Sequence, residues 1–308
     1  MDPVVKSPAN KFKCLTAKNV CSSGESNKSF KNENSKHARR LYELGFREQK
    51  RGKLDSAICF YKKCLINDAN HFKAHYNLGV IFHEMGILVS ALYHLKQVVG
   101  LKADHHPANY NLGCIYYELK DMPHALHHFQ VAVSLDTCDL LSWNNLGLVL
   151  REVGDLDGSV NANLRAIKLD SSYDMAYYNL ANTYFDLKKY EEAVVCFSHV
   201  LRLKPEHVDA LFNLGVAHQK VGNNQKALSC YETVTTLDPK NFPEAQEEAE
   251  KLRREILISQ DKTLQQQQLP HKKKGAKASH LLSLFSDPFE LGSSWTWFFT
   301  LSNKKIKN

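Results

Sequence analysis

Five asparagines stand 34 residues apart: Asn77, Asn111, Asn145, Asn179 and Asn213. A side-chain amide donates and accepts hydrogen bonds at once, so such a row can hold a peptide backbone whatever the peptide's sequence. The position just before is Tyr42, Tyr76, Tyr110, Tyr178 and Phe212, with Asn144 breaking the series. Rigid rings offer contact area at little entropic cost; rings at helical spacing also serve simply as core. Glu84, Glu118, Glu152 and Asp186 recur at the same interval between Lys50 and Lys220. A line of acids would attract a basic segment, and it would equally suit a solvated face. The stretch HALHHF groups His124, His127 and His128. Zinc takes three or four ligands backed by carboxylates; none is placed for it, so this reads as a surface histidine cluster. The chain has no P-loop, dinucleotide glycine fingerprint, nucleophile elbow or zinc-protease helix motif. The expectation is a non-enzymatic protein without cofactor, metal or small-molecule substrate.

The elements that must carry these residues repeat with them. The pairs Leu44-Gly45, Leu78-Gly79, Leu112-Gly113, Leu146-Gly147, Leu180-Ala181 and Leu214-Gly215 mark six units of 34 residues without insertion or deletion. The units run 38–71, 72–105, 106–139, 140–173, 174–207 and 208–241. Each holds two apolar sets at helical spacing. They are separated at position 15 by Gly52, Gly86, Lys120, Gly154, Lys188 or Gly222. Each unit is therefore predicted as a helical hairpin. One hairpin cannot bury its apolar face alone, so the six stack into a solenoid with one continuous core. After them, Pro243 suits the first turn of a helix. Acids then crowd its start and bases follow, as the helix dipole favours. Ala245, Ala249, Leu252 and Ile256 form one narrow apolar stripe. Residues 242–259 thus read as a capping helix.

Small residues at positions 8 and 20, with large ones at 4, 11 and 24, resemble the tetratricopeptide repeat family. Position 20 is Ala57, Ala91, Ala125, Ser159, Ala193 and Ala227; position 24 is Tyr61, Leu95, Phe129, Asn163, Phe197 and Tyr231. The resemblance covers about two-thirds of the chain. It implies an all-α, right-handed α-solenoid of six helix-turn-helix units plus the C-terminal cap. It also implies that the first helix of each unit lines a concave groove, with the asparagine, aromatic and acidic rows facing a ligand. The asparagine row is similar to the ladder in the superhelix of O-linked N-acetylglucosamine transferase, and it also matches the ordinary family pattern. Family members that clamp a terminal carboxylate use basic and Asn residues in their first units; Tyr42 and Phe46 stand there instead. The fourth unit departs from the pattern at Ser159 and Asn163. Losing a buried aromatic costs about 3–5 kcal/mol, which makes this hairpin a candidate soft point unless Trp143 fills the space.

Charge narrows the partners. The net +7 divides into +4 for residues 1–37, +5 for residues 261–308 and therefore 7 − 4 − 5 = −2 for the middle. A nucleic-acid binder concentrates positive charge on its folded surface, and this chain does not. Eight cysteines show no C-x-x-C pair or regular disulfide spacing, which fits a reducing compartment. The opening residues lack the apolar run of an export signal, and no run approaches the roughly 20 residues of a spanning helix. A cytoplasmic protein is expected, with nucleus and cilium as alternatives. Residues 1–37 hold too few large apolar groups to offset ordering entropy. Residues 260–308 read as a low-complexity linker and an aromatic, basic tail. The function expected from all this is a scaffold or adaptor binding extended peptide segments of other proteins, basic ones in particular, in the groove. The alternative is a regulatory or substrate-recruiting subunit of an enzyme, chaperone or ciliary transport complex.

Overall fold

The structure, a computed structural model, describes residues 24–268, with side-chain surroundings for residues 33–264. The expectations for residues 1–23 and for the tail from residue 269 lie outside the described residues. Among those described, thirteen helices and no strand occur. They pair as α1 (Gly24–Lys50) with α2 (Leu54–Asn67), α3 (Phe72–Glu84) with α4 (Leu88–Leu101), and α5 (His106–Glu118) with α6 (Met122–Leu135). There follow α7 (Leu140–Glu152) with α8 (Leu156–Leu169), α9 (Asp174–Asp186) with α10 (Tyr190–Leu203), and α11 (Val208–Val221) with α12 (Asn224–Leu237). A last helix, α13, runs Pro243–Gln268. The fold is an all-α solenoid of helical hairpins. Two ends differ from expectation: α1 begins at Gly24, inside the segment expected to lack fixed structure, and α13 continues past residue 259.

Local chemistry explains the hairpins. At position 15 the backbone turns through the left-handed region, with φ of 73° at Gly52, 71° at Gly86, 88° at Gly154 and 85° at Gly222. Glycine enters that region without steric cost. Lys120 and Lys188 adopt it too, at φ 61° and 60°, so the turn geometry is imposed by the stack and not by glycine alone. The first helices of several units start on a capping side chain: His71, His105, Asp139 and His207 each accept the N–H three residues on. That satisfies a donor the helix leaves unpaired.

Packing follows one rule down the stack. The side chain at position 24 lies on the bare backbone of position 8, so a Cβ at Gly113 would stand 2.8 Å from the Phe129 ring, and one at Gly45 2.8 Å from Tyr61. Tyr61, Leu95, Phe129, Phe197 and Tyr231 are all buried there. Position 20 is alanine with no exposure in five units and Ser159 in the fourth, which lets the paired helices approach closely. The capping stripe is present: Ala245, Ala249 and Leu252 are buried. A compact body ends at Arg254 and a second begins at Glu255, so α13 contributes to both. No described helix is long and apolar enough to cross a membrane.

Candidate functional site

The first helices of successive units are joined by a polar ladder that repeats once per unit, each rung spanning one unit plus one residue. Asn77 Nδ2 donates to the Tyr42 hydroxyl at 3.5 Å, and Asn111 to Tyr76 at 3.4 Å. Asn145 donates to Tyr110, and Asn213 to Tyr178, each at 3.2 Å. Where Asn144 replaces tyrosine the ladder continues through its amide, which accepts from Asn179 Nδ2 at 2.9 Å. Phe212 has no hydroxyl and packs on Phe242 instead, with centroids 5.6 Å apart. The two rows are thus one structure, with each of these asparagines tied to the side chain 35 residues earlier, a tyrosine in four cases and Asn144 in the fifth.

Three of the tyrosines pack on a capping histidine. Tyr42, Tyr76 and Tyr178 lie against the capping histidines His71, His105 and His207, with ring centroids 4.9, 5.0 and 5.1 Å apart. Nδ1 of each histidine accepts a backbone N–H, which fixes the orientation of the ring beside its tyrosine. Burial also lowers the pKa of His71 and His105. These histidines were not singled out in the sequence. Their signal was available, since 71, 105 and 207 share position 34 of their units.

The ladder leaves part of each amide open. Asn77, Asn111, Asn145 and Asn213 are partly exposed, whereas Asn179 is buried at 6% exposure with its amide committed to Asn144. Asn179 is therefore a joint between units and does not face a ligand. Asn111 bonds back to the Pro107 carbonyl at 2.7 Å and Asn213 to Asn182 Oδ1 at 3.3 Å. In these contacts the asparagines act through Nδ2. The amide oxygens of Asn77, Asn111 and Asn213 are absent from the buried unpaired atoms and from the internal bonds, so they remain open to solvent as acceptors. Cys114, beside them, is 3.9 Å from Asn145 Nδ2; burial pushes its thiol up to about 11, so it is a neutral, weakly polar surface.

The acidic row is exposed along its length, and half of it is paired across units. Glu118 bonds His83 at 2.8 Å, and Asp186 binds Arg151 at 2.6 Å, again at an offset of 35 residues. Arg151 also lies 3.9 Å from Glu152. A charge pair as exposed as Arg151–Asp186 contributes little to stability, but it leaves less uncompensated negative charge than the bare row suggests. Lys50 and Lys220 are exposed at the two ends.

Three depressions open beside these rows. A cavity of about 420 Å³ at the first unit is lined by Arg39, Tyr42, Glu43, His71 and Lys73 among others. One of about 390 Å³ brings together Arg151, Tyr178, Asn182, Phe185, Asp186 and Asn213 with Val216. A third of about 510 Å³ lies between Phe212, Val216, Gln219, Lys220 and the Glu244, Glu248 and Lys251 face of α13. The last two share Val216 and so form one run of surface. A further depression, of about 710 Å³ at Lys204–Asp209, Asp238 and Phe242, contains no predicted site residue. The histidine cluster does not assemble a metal site: His124 bonds Asp121 at 2.8 Å and His128 bonds Asn109 at 3.0 Å. Among the described residues no group of three potential ligands is close enough to hold an ion.

Comparison with known proteins agrees with this geometry. Residues 175–207 and 208–241 match a family model described as tetratricopeptide repeat, and residues 147–188 match a second, described as TPR repeat. No curated protein matches in sequence. Among solved structures, MamA is similar over 54% of this chain and 97% of its own, with 26% identity and a TM-score of 0.51. YrrB, described as a TPR protein with an unusual peptide-binding site, covers 58% of this chain and 93% of its own at 20% identity and a TM-score of 0.53. PilF of Pseudomonas aeruginosa covers 72% and 99% at 17% identity and a TM-score of 0.58.

Proposed function

The chain is a tetratricopeptide-repeat protein, a scaffold for protein interaction, and from that premise we propose that its first-helix face holds extended peptide segments of partner proteins. The observation that carries the proposal is the ladder. One N–H of each asparagine fixes the side chain to the neighbouring unit, and the carbonyl of Asn77, Asn111 or Asn213 stays open. A preorganised acceptor meets a peptide N–H with little further entropic cost. A repeat of such acceptors suits a ligand that is itself a repeat, which a peptide backbone is. The rings of Tyr42, Tyr76, Tyr110 and Tyr178 supply amphipathic contact area beside them. YrrB supports the reading only in that a solenoid of this fold carries a peptide-binding site.

Glu84, Glu118 and Glu152, with Asp186 partly offset by Arg151, favour a basic segment. The partner is another protein, not a nucleic acid. The same contacts would serve a free-standing adaptor or a recruiting subunit of a larger complex.

The test is proximity labelling in cells with the wild type, with Asn77→Ala/Asn111→Ala/Asn213→Ala, and with Tyr42→Phe/Tyr76→Phe/Tyr178→Phe. The alanine set removes the open acceptors. The phenylalanine set cuts only the joints between units. Loss of the labelled partners with the first set and a weaker reduction with the second, which frees the acceptors without removing them, is the expected result. An unchanged partner set in the alanine variant would remove the groove from the account.

A further inference from the structure

The fourth hairpin breaks the packing rule, and it does so with a buried polar layer that leaves one acceptor unpaired. Asn163 is fully buried where the neighbouring units carry Phe129 and Phe197, and its amide lies 2.6 Å from where a Cβ on Gly147 would stand. Trp143 does not fill the place: it is half-buried, and its Nε1 donates to the Thr137 carbonyl at 3.0 Å. Ser159 Oγ lies 2.7 Å from the Gly147 carbonyl, and Thr183 Oγ1 lies 2.7 Å from the Asn179 carbonyl. The two hydroxyl oxygens also lie 2.9 Å apart, and either can donate to the other. Asn163 Nδ2 gives its protons to Ser159 O at 2.9 Å and Ser159 Oγ at 3.3 Å. Asn163 Oδ1 is left buried without a partner.

This layer coincides with a break in the core. The first apolar cluster runs from Ala38 to Ala162 and the second from Leu180 to Ala217. From α8, only the half-buried Val160 and Ile167 pack against the second. The inner side of the same joint is held tightly. Asn179 is bonded to Asn144, Arg151 to Asp186, and α7 lies against α9 more extensively than α3 against α5 or α5 against α7. The backbones of α8 and α9 approach as closely as at the other joints; what this joint lacks is a continuous apolar core, and a joint tied along one edge with polar packing and an unpaired buried acceptor behind it is a pivot.

We infer that the α8–α9 joint divides the solenoid into two separately cooperative bodies, α1–α8 and α9 through Arg254, which bend about the Asn144–Asn179 edge. Solenoid stability is a sum of units and nearest-neighbour interfaces, so one weak interface uncouples what lies on either side. Bending there alters the spacing between Tyr110, Asn145 and the rows that follow. The inference stands whether or not those rows bind a peptide.

Hydrogen exchange with mass spectrometry on the full chain across a urea titration tests it. In the wild type, amides of α8 and α9 are expected to exchange about tenfold faster than those of α5 and α6. The two bodies should lose protection at different urea concentrations. Ser159→Ala/Asn163→Phe gives the fourth unit the pair found in the third and fifth, Ala125 with Phe129 and Ala193 with Phe197, and should bring the two midpoints together. A single shared midpoint in the wild type, with α8 and α9 as protected as α5 and α6, overturns the inference. So does a folded double variant whose midpoints stay apart. If the double variant does not fold, the wild-type measurement decides.

Discussion

Replacing Tyr110 by Phe isolates one rung of the ladder. The ring stays, and only the hydroxyl that accepts from Asn145 Nδ2 at 3.2 Å is removed. A net intramolecular hydrogen bond is worth about 0.5–1.5 kcal/mol, and Asn145 is partly exposed, so water can replace the lost partner. Tyr110→Phe should therefore cost about 0.5–1.5 kcal/mol. Asn145→Ala should cost more. It removes the same bond and also the acceptor for Asn144 Nδ2, 3.2 Å away. Asn144 is only 5% exposed, and an unpaired buried donor costs about 1–3 kcal/mol. In the double variant the shared rung is lost once, so the two costs should fall short of their sum by about 0.5–1.5 kcal/mol. Urea titrations with an unchanged slope read all three values. In a body of this size about 1 kcal/mol moves the thermal midpoint by roughly 2–4 °C. A coupling below about 0.3 kcal/mol would mean that the ladder does not join the units, and the view of the asparagines as fixed acceptors would fall with it.

Three further outcomes are expected. His94 and His75 share a 2.8 Å contact in the core, and His75 Nε2 is bonded to the Ala69 carbonyl at 3.0 Å, so both rings are neutral. Burial pushes His94 down to about 4 and lowers His75 as well. The unfolded chain therefore takes up protons first as pH falls. Stability is full above about pH 6.5 and declines towards pH 4, by about 1–3 kcal/mol for His94; thermal midpoints for His94→Gln should fall less steeply over that window. Lys120 occupies φ 61° where four other units use glycine, and a non-glycine residue there costs about 1–2 kcal/mol against glycine's larger chain entropy. Lys120→Gly should thus raise stability by up to about 1 kcal/mol in denaturant titration, and a loss would show that the lysine side chain makes the turn. Gly113→Ala, whose new methyl meets the buried Phe129 ring at 2.8 Å, should cost about 1–3 kcal/mol; Gly100→Ala, with open space around it, serves as the control and should not destabilise.

The sequence alone determined the hairpins and their stacking. A hydrophobic period and a glycine or lysine at position 15 are local signals, and the constant 34-residue interval turns one local signal into a rule for every interface. Gly45, Gly113 and Gly215 and the side chains that cover them were legible as small and large partners for the same reason. What the site does with its residues was not legible in that way. Asn179 and Asn213 have the same type and the same unit position, yet one is buried against Asn144 and the other is partly open beside Tyr178. The difference comes from the residue 35 positions earlier, amide or phenol, and from how closely α9 approaches α7. The acids at 118 and 186 likewise met partners, His83 and Arg151, that belong to the preceding unit. Side-chain period fixes which helix face a residue is on. Whether it is spent on a neighbour or left for a ligand depends on separations between units, and only the tertiary packing sets those.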